Sequence, residues 1–395
     1  DTWNPDVDDI PWPNWDQGGM WGEPSPACYD PLSYGCWLGR PLGTQPASMT
    51  AWARIELGWL SPAIWDLSMD PASIFLAELE TPNPNDKALK ILLPSFARSG
   101  SIVRRAPDPA DTTSPSTLTR EFYLDAETSA ELHFYHWYDL ESGHDYAYVE
   151  VMPSGASTWT TLRTFTGSSG EVWTQEIIDL SAYRGTTVSV RFRLARDASY
   201  EGQGWFLDDF SLWEDGEQTW SDDCEISGLR AAQAALTRTS DWSATRFPCI
   251  EAVPYYLAEW RNDQAGFDVG LGQVYNMANA ATGLADYFRY NPGLLLWYVN
   301  PRYLPGDNNV FVHPGAGFLL AVDAHPDPDY QTSAGTAWRT RVQMQDATFR
   351  ASTQTYTNTL READGTWNTI GPKAAVSAIR DYGTANPAGR AAIPH

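Results

Sequence analysis

The sequence predicts a mainly β protein whose central part is a jelly-roll β-sandwich. Between Leu118 and Trp213, runs with strand character recur at intervals of roughly a dozen residues, and turn residues bound each run. Many short antiparallel strands over about a hundred residues are typical of a sandwich. Blocks of similar strand character flank this region, which favours insertion of the sandwich into a second, discontinuous β-rich domain. The predicted strands are Leu118–Leu124, Glu131–Tyr138, Tyr146–Met152, Trp159–Phe165, Val172–Leu180, Thr187–Leu194 and Gly204–Trp213.

The part of the chain before the sandwich has a mixed pattern. Residues 1–48 are rich in Pro, Gly, Trp and Asp without a sustained period, which indicates an irregular segment. Ser48–Leu60 predicts a helix, because Thr50 can cap its start and Gly58 can end it. Two strands and a Ser/Pro/Asp/Thr-rich linker are predicted next, at Ser73–Glu80, Ala88–Leu93 and residues 99–117.

Strand patterns resume after the sandwich. An Ala-rich run at Leu229–Leu236 predicts a short helix, and Ala374–Arg380 predicts a weak one in the polar C-terminal tail. The strands predicted between them are Tyr255–Trp260, Gly293–Val299, Gly317–Val322 and Arg339–Gln345.

Charge restricts the classes of partner. Fifty acidic side chains against 26 basic ones give the 395-residue chain a net charge of −24. Such a surface repels nucleic acid and anionic membranes, whereas it suits calcium or a salty extracellular medium. No apolar run approaches the roughly 18 residues of a membrane span.

The four cysteines form two local pairs in the sequence, Cys28 with Cys36 and Cys224 with Cys249. An even number and short loops favour two disulfides and therefore an oxidising compartment. Zinc binding is the alternative, but neither a C-x-x-C spacing nor a nearby histidine supports it.

Carboxylates gather at the ends of predicted strands, and this arrangement predicts a calcium site. Calcium takes six to eight oxygen ligands, so a few carboxylates together with backbone carbonyls suffice. Ion pairing with Arg191, Arg193 or Arg196 is the alternative explanation for the same acids. The candidate ligands are Asp139, Glu141, Asp145, Asp208 and Asp209.

Signatures of catalysis are missing from the sequence. None of the six histidines lies in H-E-x-x-H, the helical spacing that holds zinc, and neither a G-x-S-x-G elbow nor a P-loop occurs. His313 and His325 each precede a proline, which favours turn-bonding histidines over metal ligands or bases.

The predicted sandwich contains the stretches Trp137–Val151, Thr158–Leu162 and Gly204–Phe210. These stretches resemble the jelly-roll module of the immune inhibitor A family, which consists of secreted bacterial zinc metallopeptidases. Upstream, Asp30–Trp37 resembles the segment that follows the active-site helix in that family, and Gly43–Trp59 resembles the end of its catalytic domain. Further similar stretches are Tyr255–Arg261, Gly266–Asp268, Gly293–Tyr298, His313–Gly317, Val322–Pro326 and Trp338–Met344.

The resemblance implies that catalysis belongs to another part of the protein and that this chain is a non-catalytic part. In the family, the zinc helix would lie immediately before Asp1, so zinc would belong to that missing part, and this chain should not hydrolyse peptides alone. We expect a secreted or cell-surface protein whose partners are an N-terminal catalytic fragment or other protein chains, with a peptide as a possible substrate. The implied domains are 1–69 (catalytic-type remnant), 70–98 with 226–350 (discontinuous β-rich domain), 99–225 (inserted calcium-binding sandwich) and 351–395 (tail).

Two other functions stay open at this point. Leu32 stands where the family places a Met beneath the zinc, which favours a catalytically inactive homologue that serves as an extracellular structural, adhesion or assembly protein. Carbohydrate binding by the jelly roll is the third hypothesis, and it depends on analogy of fold alone.

Overall fold

The structure is a computed structural model, and the mainly β prediction is confirmed. The described residues are 47–66, 68–69, 74–77, 87–108, 115–126, 129–170, 172–197, 202–225, 242–262, 264, 266–272, 275–278, 285–303, 317–325, 344–353, 357–361 and 365–379. Their elements are α1 (Ala51–Glu56), β1 (Ala63–Asp66), β2 (Ala88–Leu92), β3 (Ile102–Asp108), β4 (Ser116–Tyr123), β5 (Ala130–Asp139), β6 (Tyr146–Pro153), β7 (Thr160–Phe165), β8 (Thr174–Asp179), β9 (Thr187–Ala195), β10 (Gly202–Glu214), β11 (Glu217–Asp222), β12 (Ser243–Thr245), β13 (Cys249–Glu251), β14 (Tyr255–Arg261), β15 (Tyr275–Ala278), β16 (Ala285–Phe288), β17 (Gly293–Val299), β18 (Leu319–Ala321), β19 (Asn358–Arg361) and β20 (Trp367–Ile370).

The chain divides into two compact units. One unit is continuous, residues 95–253, and the other combines residues 1–94 with 254–395. The continuous unit includes β12 and β13, so it extends beyond residue 225, where the sequence placed the end of the sandwich.

The continuous unit is a β-sandwich with jelly-roll topology. Its first sheet has the strand order β13-β3-β10-β5-β8, with β11 also paired to β10, and its second sheet has the order β12-β4-β9-β6-β7. Counted from β3, the eight main strands follow the orders 1-8-3-6 and 2-7-4-5. This is the double Greek key of a jelly roll.

Alternation of side chains builds the core of the sandwich. In β9, Val188, Val190, Phe192 and Leu194 are all fully buried, whereas the residues between them point away from the core. Phe192 meets Phe134 of the facing sheet edge-on, with ring centroids 5.0 Å apart. The period of two is what the sequence pattern predicted.

The other unit contains two sheets and the short helix. One sheet has the order β1-β2-β14-β17-β18, and the other has the order β15-β16-β19-β20. Thr50 caps α1 by accepting a hydrogen bond from the amide of Ala53 (3.2 Å). Trp52 of α1 then packs edge-on against Phe318, with centroids 5.4 Å apart. The helix is therefore anchored on the larger sheet.

The linker predicted at residues 99–117 was wrong. Residues 102–108 form β3, a strand of the first sheet, and Val103 and Ala106 are fully buried. Arg104, Arg105 and Pro107 interrupt the apolar pattern of this strand, so its sequence does not reveal its burial.

Four further elements differ from the prediction. Helix α1 covers only part of Ser48–Leu60, residues 74–77 within Ser73–Glu80 are not a strand, and Met344–Asp346 is a 3₁₀ turn at the end of Arg339–Gln345. Residues 374–379 are not helical, and the carbonyl of Val376 accepts a hydrogen bond from the amide of Arg350 (2.7 Å) instead of from its own segment. Leu229–Leu236 lies outside the described residues.

No helix in the described ranges is both long enough and apolar enough to cross a bilayer.

Candidate functional site

The turn between β5 and β6 carries the candidate site. It is closed by the carbonyl of Glu141, which accepts hydrogen bonds from the amides of His144 (3.3 Å) and Asp145 (3.0 Å). Gly143 has a φ of +79°, which a residue with a Cβ adopts at a cost, and its amide donates to the Thr166 hydroxyl (2.9 Å). Buried Leu140 fixes the turn to the core.

This turn meets the residues that follow β9. One ligand atom each from Glu141, His144 and Asp197 lies within 4.8 Å of the other two, and His144 Nδ1 is 3.5 Å from Asp197 Oδ2. Asp145 is 1% exposed, and its Oδ1 accepts a hydrogen bond from the amide of Asp197 (2.8 Å). Its other oxygen, Oδ2, is buried without a hydrogen-bond partner. We call Glu141, His144, Asp145 and Asp197 the turn cluster.

The turn cluster has the chemistry of a cation site. The carboxylates of Glu141 and Asp197 converge there with the His144 imidazole, and the buried Asp145 carboxylate binds the backbone of Asp197. Carboxylate oxygens suit a hard cation such as calcium, whereas the imidazole also suits zinc and other transition metals.

Asp139 precedes the turn in sequence, and its side chain binds the backbone of the neighbouring strand β10. It faces Gly204 across the β5–β10 pair, and its Oδ2 accepts a hydrogen bond from the amide of Gln203 (3.3 Å).

Asp208 and Asp209 lie elsewhere on the sandwich. Asp208 faces Tyr135, four residues before Asp139 on β5, which is a separation of roughly 13 Å along the strand. Fully buried Asp208 accepts hydrogen bonds from the amides of Arg98 (3.0 Å), Ser99 (3.2 Å) and Asp209 (2.8 Å). Burial, together with the charge of the neighbouring Asp209, raises its pKa to about 7, although the hydrogen bonds from these amides act to lower it.

The five predicted ligands therefore do not meet at one point. Glu141 and Asp145 both lie in the turn cluster. Asp139 binds the backbone amide of Gln203, and Asp208, on β10, binds the backbone amides of residues 98 and 99. Sequence reasoning missed His144 and Asp197. The rule that selected the other acids, a carboxylate at a strand end, also applies to Asp197, which lies two residues after β9.

Each of the three arginines of the alternative explanation has a partner outside the turn cluster. Arg191 and Arg193 both pair with Glu150 at 2.7 Å, on the outer face of the second sheet. Arg196 donates to the carbonyl of Pro107 (3.0 Å) and to the hydroxyl of Ser116 (3.2 Å).

A second group of potential ligands, Asp323, His325 and Asp346, lies in the other unit. The ring nitrogens of His325 lie 3.0 Å from the carbonyl oxygen of Asp346 and 2.8 Å from that of Ala374. Carbonyl oxygens only accept, so a ring nitrogen that binds one of them does so as a donor, which competes with metal binding. Lys373 Nζ also lies 2.9 Å from Asp346 Oδ2, so a lysine neutralises part of the charge of this group.

The predicted disulfides have different outcomes. Cys28 and Cys36 lie outside the described residues, so their bridge stays a prediction. Cys224 and Cys249 both lie in the sandwich core, but the structure has thiols at both positions instead of the predicted bridge. Burial raises the pKa of the Cys224 thiol, with Asp208, Asp222 and Cys249 adding to the shift, so the neutral thiol is favoured there.

Comparisons with known proteins agree with this architecture. The family described as "Immune inhibitor A-like, MAM domain" matches residues 112–240, and "Immune inhibitor A-like metallopeptidase, VEG domain" matches residues 250–391. The chain belongs to the immune inhibitor A-like metallopeptidase family. The resemblance seen in the sequence is thereby confirmed.

Individual relatives of this immune inhibitor A-like chain are larger proteins. The pre-pro-metalloprotease PrtV of Vibrio cholerae is 29% identical over 344 residues, 80% of this chain and 35% of PrtV. Immune inhibitor A of Bacillus thuringiensis subsp. alesti is 28% identical over 357 residues, 83% of this chain and 48% of that protein. Bacillopeptidase F of Bacillus subtilis is 42% identical over 81 residues, 20% of this chain and 6% of that protein. This chain thus spans between a third and a half of the first two relatives.

Proposed function

We propose that this chain is the non-catalytic C-terminal portion of a secreted metallopeptidase and that it supports a zinc-containing catalytic part on the N-terminal side. The peptide substrate would be cleaved in that catalytic part. The observation that carries the proposal is a buried charge cluster that fixes the backbone of residues 48–51.

The cluster consists of Glu259, Arg261 and Asp268, which are at most 1% exposed. Arg261 binds Asp268 through two hydrogen bonds of 2.7 Å and lies 3.1 Å from Glu259 Oε1. Bidentate pairing is the strongest geometry for a buried arginine, because it satisfies two donors and two acceptors at once.

The same three side chains hold the backbone at the start of α1. Glu259 accepts from the amide of Ala51 (2.6 Å), Asp268 accepts from the amide of Ser48 (2.9 Å), and Arg261 donates to the carbonyl of Ser48 (3.1 Å). By family resemblance, residues 48–51 lie near the end of the catalytic domain. A rigid hold at this point would keep the catalytic part in a fixed position on the β-rich unit.

Exposed apolar side chains after α1 give further support. Trp59 and Phe75 are 68% and 69% exposed, and Met69 is 49% exposed. Large exposed apolar side chains are candidates for contact with a partner when they lie close together. We assign them to the interface with the N-terminal catalytic part.

Reconstitution tests the supporting role. The catalytic region of the same precursor, produced separately, should co-elute with this chain in gel filtration at about 1 µM, because a stable interface of ordinary size binds at least that tightly. The double substitution Trp59→Ser with Phe75→Ser should weaken the complex at least roughly tenfold, since two apolar anchors are lost. Tyr123→Ser, which removes an equally exposed aromatic residue of the sandwich, is the matched control. Separate elution of the unmodified partners would contradict the proposal.

Zinc content separates this function from that of an inactive homologue. The intact precursor should contain zinc and digest casein. Neither property would be found in a purely structural or adhesive protein.

We also propose that the turn cluster binds a structural calcium ion. Its support is the buried Asp145 oxygen and the convergence of Glu141, His144 and Asp197. Calcium at about a hundred times its Kd should stabilise the folded state by about 2.7 kcal/mol, which corresponds to several degrees in Tm. Glu141→Gln with Asp197→Asn should abolish this increase, whereas Glu217→Gln, on the exposed strand β11, should preserve it. Equal melting curves with calcium and with chelator would exclude the site.

A further inference from the structure

A groove of about 350 Å³ lies on the outer face of the first sheet of the sandwich. It crosses β8, β5, β10 and β11 and is separate from the turn cluster. The lining residues used below are Tyr135, Gln175, Asp209, Trp213, Gln218 and Ser221.

Strand register places these side chains next to one another. Tyr135 faces Gln175 across β5 and β8, and Trp213 faces Gln218 across β10 and β11. Each strand pair therefore contributes one aromatic ring and one amide. The two exposed amides make no hydrogen bond within the described part of the chain, so both can bind a ligand.

Trp213 is fixed in position before any ligand arrives. Its ring stacks on His133 with centroids 5.5 Å apart and an interplanar angle of 21°, and its Nε1 donates to the hydroxyl of Ser211 (2.9 Å). His133 is itself held by Glu131 at 2.9 Å. A rigid aromatic side chain loses little conformational entropy when it binds.

The lining residues exclude several classes of ligand. None of the residues that line this groove is Lys or Arg, although the Arg98 guanidinium lies 4.4 Å from the centroid of the Tyr135 ring. Three carboxylates, those of Asp209, Asp222 and Asp223, line the groove, so a phosphate, sulfate or uronic acid would meet net negative charge. The same carboxylates disfavour a lipid chain, because its burial there would remove them from water.

A neutral saccharide matches the groups that remain, and we propose that the groove binds one. A sugar hydroxyl both donates and accepts, so it can accept from the amides of Gln175 and Gln218 and donate to Asp209. The apolar face of a pyranose ring can pack on an aromatic side chain, as apolar surfaces do elsewhere. An ammonium or guanidinium group only donates, so it could bind the amide oxygens of Gln175 and Gln218 but would leave their NH₂ donors without an acceptor, whereas a sugar hydroxyl pairs with both.

Binding of defined neutral oligosaccharides to the whole chain tests this proposal. The probes are β-1,4-linked and α-1,4-linked tetrasaccharides of glucose, galactose, mannose and N-acetylglucosamine, measured by titration calorimetry. We expect at least one to bind with a Kd below about 1 mM. Gln175→Ala and Gln218→Ala should each raise that Kd roughly fivefold, the effect of one lost hydrogen bond. Gln264→Ala, an exposed glutamine of the other unit, is the matched control and should leave the Kd unchanged.

The contribution of the Trp213 ring to sugar binding is tested separately. Trp213→Ala should raise the Kd more than about tenfold, whereas Trp213→Phe, which keeps a ring, should stay within about threefold of the unmodified chain. Thermal melting shows whether each variant is folded. The proposal is overturned if no tetrasaccharide binds, if the glutamine variants bind as well as the control, or if an arginine-rich peptide displaces the sugar. None of these outcomes depends on whether a catalytic part docks to the other unit.

Discussion

At the scale of single residues, buried ionisable groups make the sandwich sensitive to pH. His136 is 2% exposed, and its Nδ1 accepts a hydrogen bond from Trp205 Nε1 (3.1 Å). Burial lowers its pKa to about 4, so the folded state holds it neutral. Asp208 has the opposite shift, with a pKa raised to about 7 by burial.

The lowered pKa of His136 predicts a loss of stability in acid. A histidine with a pKa near 6.5 in the unfolded chain binds a proton there before it does in the folded state, so its contribution is complete above pH 6.5 and falls as the pH approaches 4. Asp208 acts in the reverse direction, because its folded state gains the proton first as the pH falls below 7. The substitution His136→Gln keeps a hydrogen-bond acceptor for Trp205 and removes the titratable imidazole.

Urea unfolding at pH 7 and pH 4 measures this effect. Between these values, the unmodified chain should lose about 3 kcal/mol relative to His136→Gln, since each unit of pKa shift corresponds to about 1.4 kcal/mol. His395→Gln, which removes the histidine at the last position of the sequence, serves as the control. An identical pH profile for the unmodified chain and His136→Gln would contradict the assignment.

At the scale of elements, the charge cluster decides where α1 lies. The helix is only six residues long, Ala51–Glu56, and isolated helices of that length are unstable in water. Its position comes from Trp52 in the core and from the backbone bonds to Glu259, Asp268 and Arg261.

Removal of the central arginine should therefore be costly. Arg261→Met leaves Glu259 and Asp268 buried without their cation, and loss of one partner of a buried ion pair costs about 3–5 kcal/mol. Chemical unfolding should show this loss, and amide exchange should accelerate at residues 51–56. Arg163→Met breaks the exposed contact of Arg163 with Glu176 (3.6 Å) and should cost less than about 1 kcal/mol. Equal effects of the two substitutions would show that the buried cluster does not hold the helix.

At the scale of the whole molecule, the sandwich is a continuous segment with its own core. Its buried residues form a cluster that extends over both sheets and includes Phe134, Phe192, Trp205 and Phe210. A compact unit with a separate core is expected to fold by itself.

Residues 95–253 produced alone should thus unfold in one cooperative transition. Near-ultraviolet circular dichroism should show fixed aromatic side chains, because the core rings pack in defined geometries. The matched sample is the entire chain, in which the same transition should recur. A broad, non-cooperative transition of the isolated segment would show that it needs the other unit.

Regular alternation made much of the fold predictable. All seven strands predicted between Leu118 and Trp213 are present, with ends that differ by no more than two residues, and β17 has the predicted bounds Gly293–Val299. Where burial depends on a distant partner, prediction failed. The strand β3 contains two arginines and a proline, and in residues 374–379 the carbonyl of Val376 binds the amide of Arg350 instead of forming a helix.

The sequence by itself determined the class of fold, the family and the acidic turn after β5, because these depend on local periodicity and on motifs contiguous in the chain. Only the tertiary structure decided which acids meet. Strand register moved Asp208 away from the turn and brought Asp197 to it, across 52 residues from Asp145. The tertiary structure also assembled the groove from four strands. The spacing of residues along one strand does not determine which other strands pair with it or in which register.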